Sequence, residues 1–172
     1  MQWLDLVALG TVCDVVPLVG LNRALVAQGL KVMARRDNIG IRALSDVVSV
    51  DEAPTTYHAG FILGPRVNAG GRVGEAGLGA RLLTTANEDE AREMALRLDA
   101  WNKERRELET VCLEEAVDQV ERGGMDDGLV YASAENWHAG VIGIVASRLK
   151  ERYNRPACVV AWEGGVGKGS GR

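Results

Sequence analysis

The sequence predicts an α/β protein, helical to about residue 123 and then alternating between strand and helix. Three observations carry that expectation. Apolar side chains recur near a 3.6-residue period from Leu21 onward. A helical pattern then runs unbroken from Glu88 to Arg122 and stops at Gly123-Gly124. Beyond it, two short apolar runs flank one helix of small residues, which is the grammar of a β-α-β unit with parallel strands.

Residues 1–20 are apolar and interrupted by Gly10-Thr11 and Asp14. Asp5 reads as an ordinary helix-start residue. Asp14 lies among Val12, Cys13, Val15 and Val16, where a carboxylate is costly to bury unless hydrogen-bonded, paired or bound to a metal. It reads either as such a group or as a capping or turn residue ahead of Pro17. Leu21, Leu25, the 29–32 region and Met33 mark a helix closed by Arg35-Arg36-Asp37-Asn38, and Leu44, Val47 and Val48 give one face of a second helix from Ile41 to about Ser49. After Pro54, Thr55 or Thr56 is expected to cap a helix reaching Leu63. His58 within it reads as a partly buried helical histidine rather than a catalytic one.

The next stretch, Gly64 to Gly74, holds Arg66, Asn68, Arg72 and four glycines within eleven residues. Glycine lets a main chain approach a ligand closely, and arginine offers a rigid charged fork suited to phosphate. The stretch reads as an anion-binding loop or as a surface turn with two solvated arginines. A short helix over 76–83 follows. Asn87, with Glu90 three residues on, opens the long helix. About 35 residues at ~1.5 Å each make a rod of roughly 50 Å, which suits a connector between two domains. The mixed charges from Glu104 to Glu109 read as a solvated face.

Residues 128–133 and Ala157 to Trp162 are the expected strands, with a helix from Val141 ending near Tyr153. His138 falls at that helix's N-terminal end, where free amides and the positive end of the dipole suit an anion. The closing segment 164–172 alternates glycine with Lys168, Ser170 and Arg172 and reads as a backbone cradle for phosphate. It lacks the Walker order, so an ATPase reading is weak.

Composition narrows the class. The 172 residues are 47% apolar and 26% charged, which describes a globular protein of one ordinary domain or two small ones. A net charge of -4 argues against a protein that coats nucleic acid, but the acids concentrate in 88–121 and leave room for a local basic site. At 5% aromatic residues, platforms for stacking bases are few. Cys13, Cys112 and Cys158 form no CxxC pair and read as reduced residues of a cytoplasmic protein. No leader or long apolar run is seen, so neither export nor membrane insertion is expected. Both ends are abrupt, which suggests an excised fragment.

Four stretches occur in the order found in a known family. They are Leu9-Gly10-Thr11-Val12-Cys13-Asp14-Val15-Val16-Pro17-Leu18, Leu63 to Arg72, Trp137 to Leu149, and Gly167-Lys168-Gly169-Ser170-Gly171-Arg172. Together they resemble the DHH phosphoesterases, and within them the exonucleases that degrade single-stranded DNA from its 5′ end. The resemblance covers essentially the whole chain. It implies that residues 1–86 are the C-terminal part of a DHH catalytic domain, 87–123 a connecting helix, and 124–172 the truncated start of a mixed-sheet DHH-associated domain that binds substrate. It further implies two divalent ions, Mn²⁺ or Mg²⁺, with Asp14 a catalytic metal ligand. Arg66, Asn68 and Arg72 would contact substrate phosphates, Ser170 and Arg172 the 5′-terminal phosphate, and His138 the same cleft. The partner would be single-stranded DNA with a 5′ end, in repair and recombination.

The chain also departs from that pattern. It has no Asp-His-His triplet and no Asp-x-Asp pair, and its only histidines are His58 and His138. A two-metal centre cannot be assembled from Asp14 alone, so the chain is expected to be inert by itself and poorly ordered at its last motif. Two other readings stay in view. One is a DHH phosphoesterase acting on oligonucleotides or cyclic dinucleotides. The other is a non-catalytic phosphate-binding module built on the long helix.

Overall fold

The computed structural model describes residues 3–123 and 128–172. The chain forms two compact units that divide between Asn102 and Lys103. In the first, α1 (Leu4–Cys13) lies against α2 (Gly20–Met33), followed by α3 (Ile39–Val47). Two close approaches set this packing. A β-carbon on Gly29 would fall 2.1 Å from the Leu4 carbonyl oxygen, and one on Gly40 would fall 1.9 Å from that of Leu82. Asn38 does more than close a helix: its Oδ1 accepts from the Ile41 amide at 2.9 Å, and its Nδ2 donates to the Leu83 carbonyl at 3.1 Å. It thereby caps α3 and ties it to α6 (Leu78–Thr84).

Asp5 does sit in the first turn of α1, yet it is 3% exposed, with the Leu6 amide donating to its carboxylate at 2.8 Å. The helix expected after Pro54 forms; its stretch His58–Leu63 is π-helical and, rather than ending at Leu63, continues directly into further helix. His58 is buried; Thr55 donates its amide to Nδ1 at 3.0 Å, and Nε2 lies 3.2 Å from Glu52. The expected loop at 64–74 is instead two helical turns, α4 (Gly64–Val67) and α5 (Gly70–Val73). None of its glycines has a positive φ. Gly64, Gly70 and Gly74 serve close packing, whereas Gly71 faces open space: a β-carbon on Gly74 would strike the Trp101 ring at 2.4 Å, and one on Gly64 would meet Cys13 Sγ at 2.3 Å.

The long helix α7 spans Glu88–Gly123, 36 residues. Asn87 Oδ1 accepts from the amides of Asp89 and Glu90, as the sequence suggests, but Thr85 rather than Glu90 satisfies the Asn87 amide. Its first part gives Ala91, Met94, Ala95 and Leu98 to the core of the first unit; Cys112, Ala116 and Val120 belong to the core of the second. Glu104, Arg106 and Glu107 are solvated, but Arg105 and Glu109 form a pair at 2.5 Å whose side chains are only 12% and 16% exposed. Gly124, half of the expected stop signal, falls outside the described residues.

In the second unit β1 (Val130–Ala134), β2 (Ala157–Glu163) and β3 (Val166–Gly171) form a sheet in the order β1-β2-β3. The β1–β2 pair is parallel and crosses through α8 (Ile142–Tyr153), as expected. The glycine-rich end, expected as a loop, is an antiparallel strand on β2. Gly164 and Gly165, with φ of 56° and 80°, make the two-residue hairpin that only residues tolerant of positive φ close easily. Order continues to the last residue, where the Arg172 amide donates to the Ala157 carbonyl at 2.9 Å. No described helix is long and apolar enough to cross a membrane.

Glycine and thiol substitutions test this packing. Gly40→Ala is expected to cost about 1–3 kcal/mol through overpacking, whereas Gly10→Ala, inside α1, should gain about 0.5–1 kcal/mol because its β-carbon meets nothing within 4 Å; urea denaturation compares them. Burial, then the charge of Glu115, pushes the Cys112 thiol from 9.0 up to about 12. Folding thus favours the protonated thiol, so its contribution is complete below pH 9.0 and lost as pH rises through about 12. Stability measured across that window should fall less steeply for Cys112→Ala than for the parent chain.

Candidate functional site

In the second unit, two of the sequence motifs meet at one residue. Val141 leads into α8 without a side-chain cap; the Ile144 amide donates to the Val141 carbonyl at 2.9 Å, and the amides of Ile142 and Gly143 precede that bond in the first turn. Gly143 lies in that first turn. A β-carbon there would sit 3.3 Å from Arg172 Nη2 and 3.3 Å from Ser170 Oγ. A guanidinium, a hydroxyl and a helix N-terminus therefore converge, which is the donor set an anion requires.

The sheet explains how Ser170 and Arg172 come to be there. Ser170 is opposite Val159, and the Arg172 backbone pairs with Ala157. Directly opposed residues of an antiparallel pair project to the same side, and so do residues two apart. Val159 and Ala157 are buried beneath α8, so their β3 counterparts face the same way. Lys168, opposite Ala161, shares that face. The sequence places it in the glycine-rich phosphate cradle but gives it no role beside Ser170 and Arg172; the strand register puts all three on one face.

His138 is exposed just before α8, and its Nδ1 accepts from the Gly140 amide at 3.0 Å. That bond places the proton of a neutral ring on Nε2, which leaves an N–H donor there. The structure gives no contact between His138 and Ser170 or Arg172.

In the first unit the other two motifs also meet. Cys13, at the end of α1, packs on Gly64, at the start of α4, and its thiol donates to the Ala59 carbonyl at 3.6 Å. Burial first, then the Asp14 charge, pushes this thiol up. Asp14 is the exposed C-cap residue of α1. Val15 beside it has φ 55° and is 85% exposed, a left-handed conformation that costs a β-branched residue energy and tends to persist at functional sites.

Arg66 is not a solvated surface cation. Its Nε donates to Asp99 at 2.8 Å and its Nη1 to the Ile62 carbonyl at 2.6 Å, with side-chain exposures of 15% and 11% for the pair. Asp99, on α7, does not stand out in the sequence, where it looks like one acid among many. Asn68 and Arg72 are exposed near the ends of α4 and α5. Among the described residues no group of three or more His, Cys, Asp or Glu side chains is placed to hold a metal.

No protein-family model matches the chain. Individual proteins do. The single-stranded-DNA-specific exonuclease RecJ of Dickeya dadantii is 46% identical over 179 residues, covering 99% of this chain and 31% of that protein. RecJ of Bacillus subtilis is 38% identical over 174 residues, covering 99% of this chain and 22% of that protein. A crystal structure of RecJ from Thermus thermophilus in complex with Mg²⁺ superposes with a TM-score of 0.84 at 36% identity, over 93% of this chain and 25% of that one. A manganese-bound exonuclease RecJ gives 0.87 at 36% identity, over 99% of this chain and 42% of that one. The chain thus corresponds to a fragment of RecJ and spans about a third or less of the length of these curated relatives.

The two kinds of ion pair in the first unit should behave differently. Removing one partner of a largely buried pair leaves a charge stranded, so Asp99→Ala is expected to destabilise the chain by about 3 kcal/mol. Glu88→Ala breaks the 2.7 Å pair with Arg42, in which Glu88 is 75% exposed, and should cost less than about 1 kcal/mol. Urea melts of the two variants provide the comparison.

Proposed function

We propose that this RecJ segment supplies the substrate-holding part of a 5′→3′ exonuclease on single-stranded DNA, used in repair and recombination and releasing 5′-mononucleotides. In this reading, residues 1–86 are the C-terminal part of a DHH catalytic domain, 87–123 the connecting helix and 124–172 the N-terminal part of a DHH-associated domain. The observation that carries it is the convergence of Arg172, Ser170 and the open N-terminus of α8 on Gly143.

A 5′-terminal phosphate carries more negative charge than an internal phosphodiester and exposes three oxygens. The α8 amides, the Ser170 hydroxyl and the Arg172 fork each donate to a different oxygen, and Nε2–H of His138 adds a donor at the same end. Lys168 adds a cation on the face of Ser170 and Arg172, and in the first unit, taken by itself, Arg66, Asn68 and Arg72 would contact substrate phosphates. Arg66 does this as a fixed charge, because Asp99 already restrains its guanidinium.

The metal-bound relatives point to Mg²⁺ or Mn²⁺ chemistry, which would activate a water and stabilise charge at the scissile phosphate. Asp14 is an exposed oxygen donor of the right hardness for such an ion. One carboxylate does not make a centre, and the described residues bring no companion ligands to it. The residues present do not fit a complete metal site, so binding and orientation are the roles assigned to them, and no hydrolytic step is.

The test is binding of a single-stranded oligonucleotide with a 5′-phosphate against the same strand with a 5′-hydroxyl, at two salt concentrations. The phosphorylated strand is expected to bind roughly tenfold tighter, the worth of one or two hydrogen bonds to a charged group, and Arg172→Ala should abolish the difference. Equal binding of the two strands by the parent chain would overturn the assignment.

A further inference from the structure

Glu115 has no place in the phosphate site, yet it makes one of the shortest hydrogen bonds in the second unit. Its Oε2 accepts from Trp137 Nε1 at 2.6 Å. Trp137 is 7% exposed and packs in the core with Val141 and Ile142, the residues that open α8. The next residue, His138, fixes the loop further: its carbonyl accepts from the Val141 amide at 3.0 Å, and its Nδ1 accepts from the Gly140 amide. One turn further along α7, Gln119 Oε1 accepts from the Ser133 amide at 3.0 Å. Two acceptors on one face of α7 therefore hold both ends of the segment 133–137 that leads into the helix.

A buried indole N–H left without an acceptor costs free energy, and the ring can recover it only by rotating or by admitting water. Either change moves the backbone at 137–141, because Trp137, His138 and Val141 are joined by packing and by backbone hydrogen bonds. The first turn of α8 and His138 would move with it.

We propose that Glu115 is a positioning residue for the phosphate site, holding Trp137 so that His138 and the amides near Gly143 face one anion together. This rests on the phosphate reading above. The carboxylate touches no substrate and works through the indole. A longer or shorter acceptor arm in its place shifts the loop. A neutral acceptor of the same length serves as well as the native one, because a hydrogen bond and not charge is needed.

The readout is the ratio of affinities for 5′-phosphorylated and 5′-hydroxyl single strands, measured on variants whose circular dichroism matches the parent chain. Glu115→Ala, and Trp137→Phe, which loses the N–H together with part of the ring, are each expected to lower that ratio by about fivefold to tenfold, the loss of one hydrogen bond. The double variant should be no worse than either alone, since both remove the same contact. Glu115→Gln should keep the ratio within about twofold of the parent chain, because its amide oxygen still accepts. If Glu115→Ala lowers the melting temperature and leaves the ratio intact, the contact is structural only and the proposal is wrong. A failure of Glu115→Gln to restore the ratio would also overturn it. If the parent chain itself shows no preference, the phosphate reading fails first and this one with it.

Discussion

The phosphate reading of the second unit depends on the close approach at Gly143. A β-carbon there would lie 3.3 Å from both Ser170 Oγ and Arg172 Nη2, so a larger residue would make one of them give by a few tenths of an ångström. This closeness lets a guanidinium and a helix N-terminus serve one ligand. It also makes the hairpin turn matter: Gly164 and Gly165 set the register of β3 on β2, and a slip by one residue would turn Lys168, Ser170 and Arg172 to the opposite face. The apolar face of β2, with Val159 and Ala161 buried, fixes which side that is. Sequence, turn and packing thus agree on a single placement of the cations.

The first unit shows a comparable arrangement. Two motifs remote in sequence touch where Cys13 meets Gly64, and here the glycine is needed because a side chain would collide. The contact fixes the end of α1, where Asp14 is exposed and Val15 is strained, against the turn that carries Arg66. Arg66 is restrained by Asp99 before any ligand arrives, so its side-chain entropy on binding is largely spent in folding. Strain at Val15 and charge restraint at Arg66 are both costs that the packed core supports.

Much of this is legible in the sequence. The periods of α2, α3 and α7, the Asn87 cap and the β-α-β crossover come from patterns that need only local information. Ser170 and Arg172 read as anion-binding residues, and their convergence at α8 gives that reading a geometry. Two glycine-rich stretches mislead for the same reason: glycine permits close approach to a ligand and equally to another helix or strand. At 64–74 it serves helix packing against Cys13, Glu75 and Trp101, and at 167–171 it lies within a strand, with Gly167 beneath the Trp162 ring. Asp99, Glu115 and Asn38 act through partners more than twenty residues away, and in each case composition shows only a polar residue on or beside a helix.

The central claim is that a terminal phosphate lies on the first turn of α8. It is tested most directly by following backbone amide resonances while adding a short 5′-phosphorylated single strand, with the 5′-hydroxyl strand as control. The account predicts that the amides of Ile142 and Gly143 and the Arg172 side chain move together, saturably, and only with the phosphorylated strand. Shifts of equal size with both strands, or shifts that leave Gly143 untouched, would contradict it.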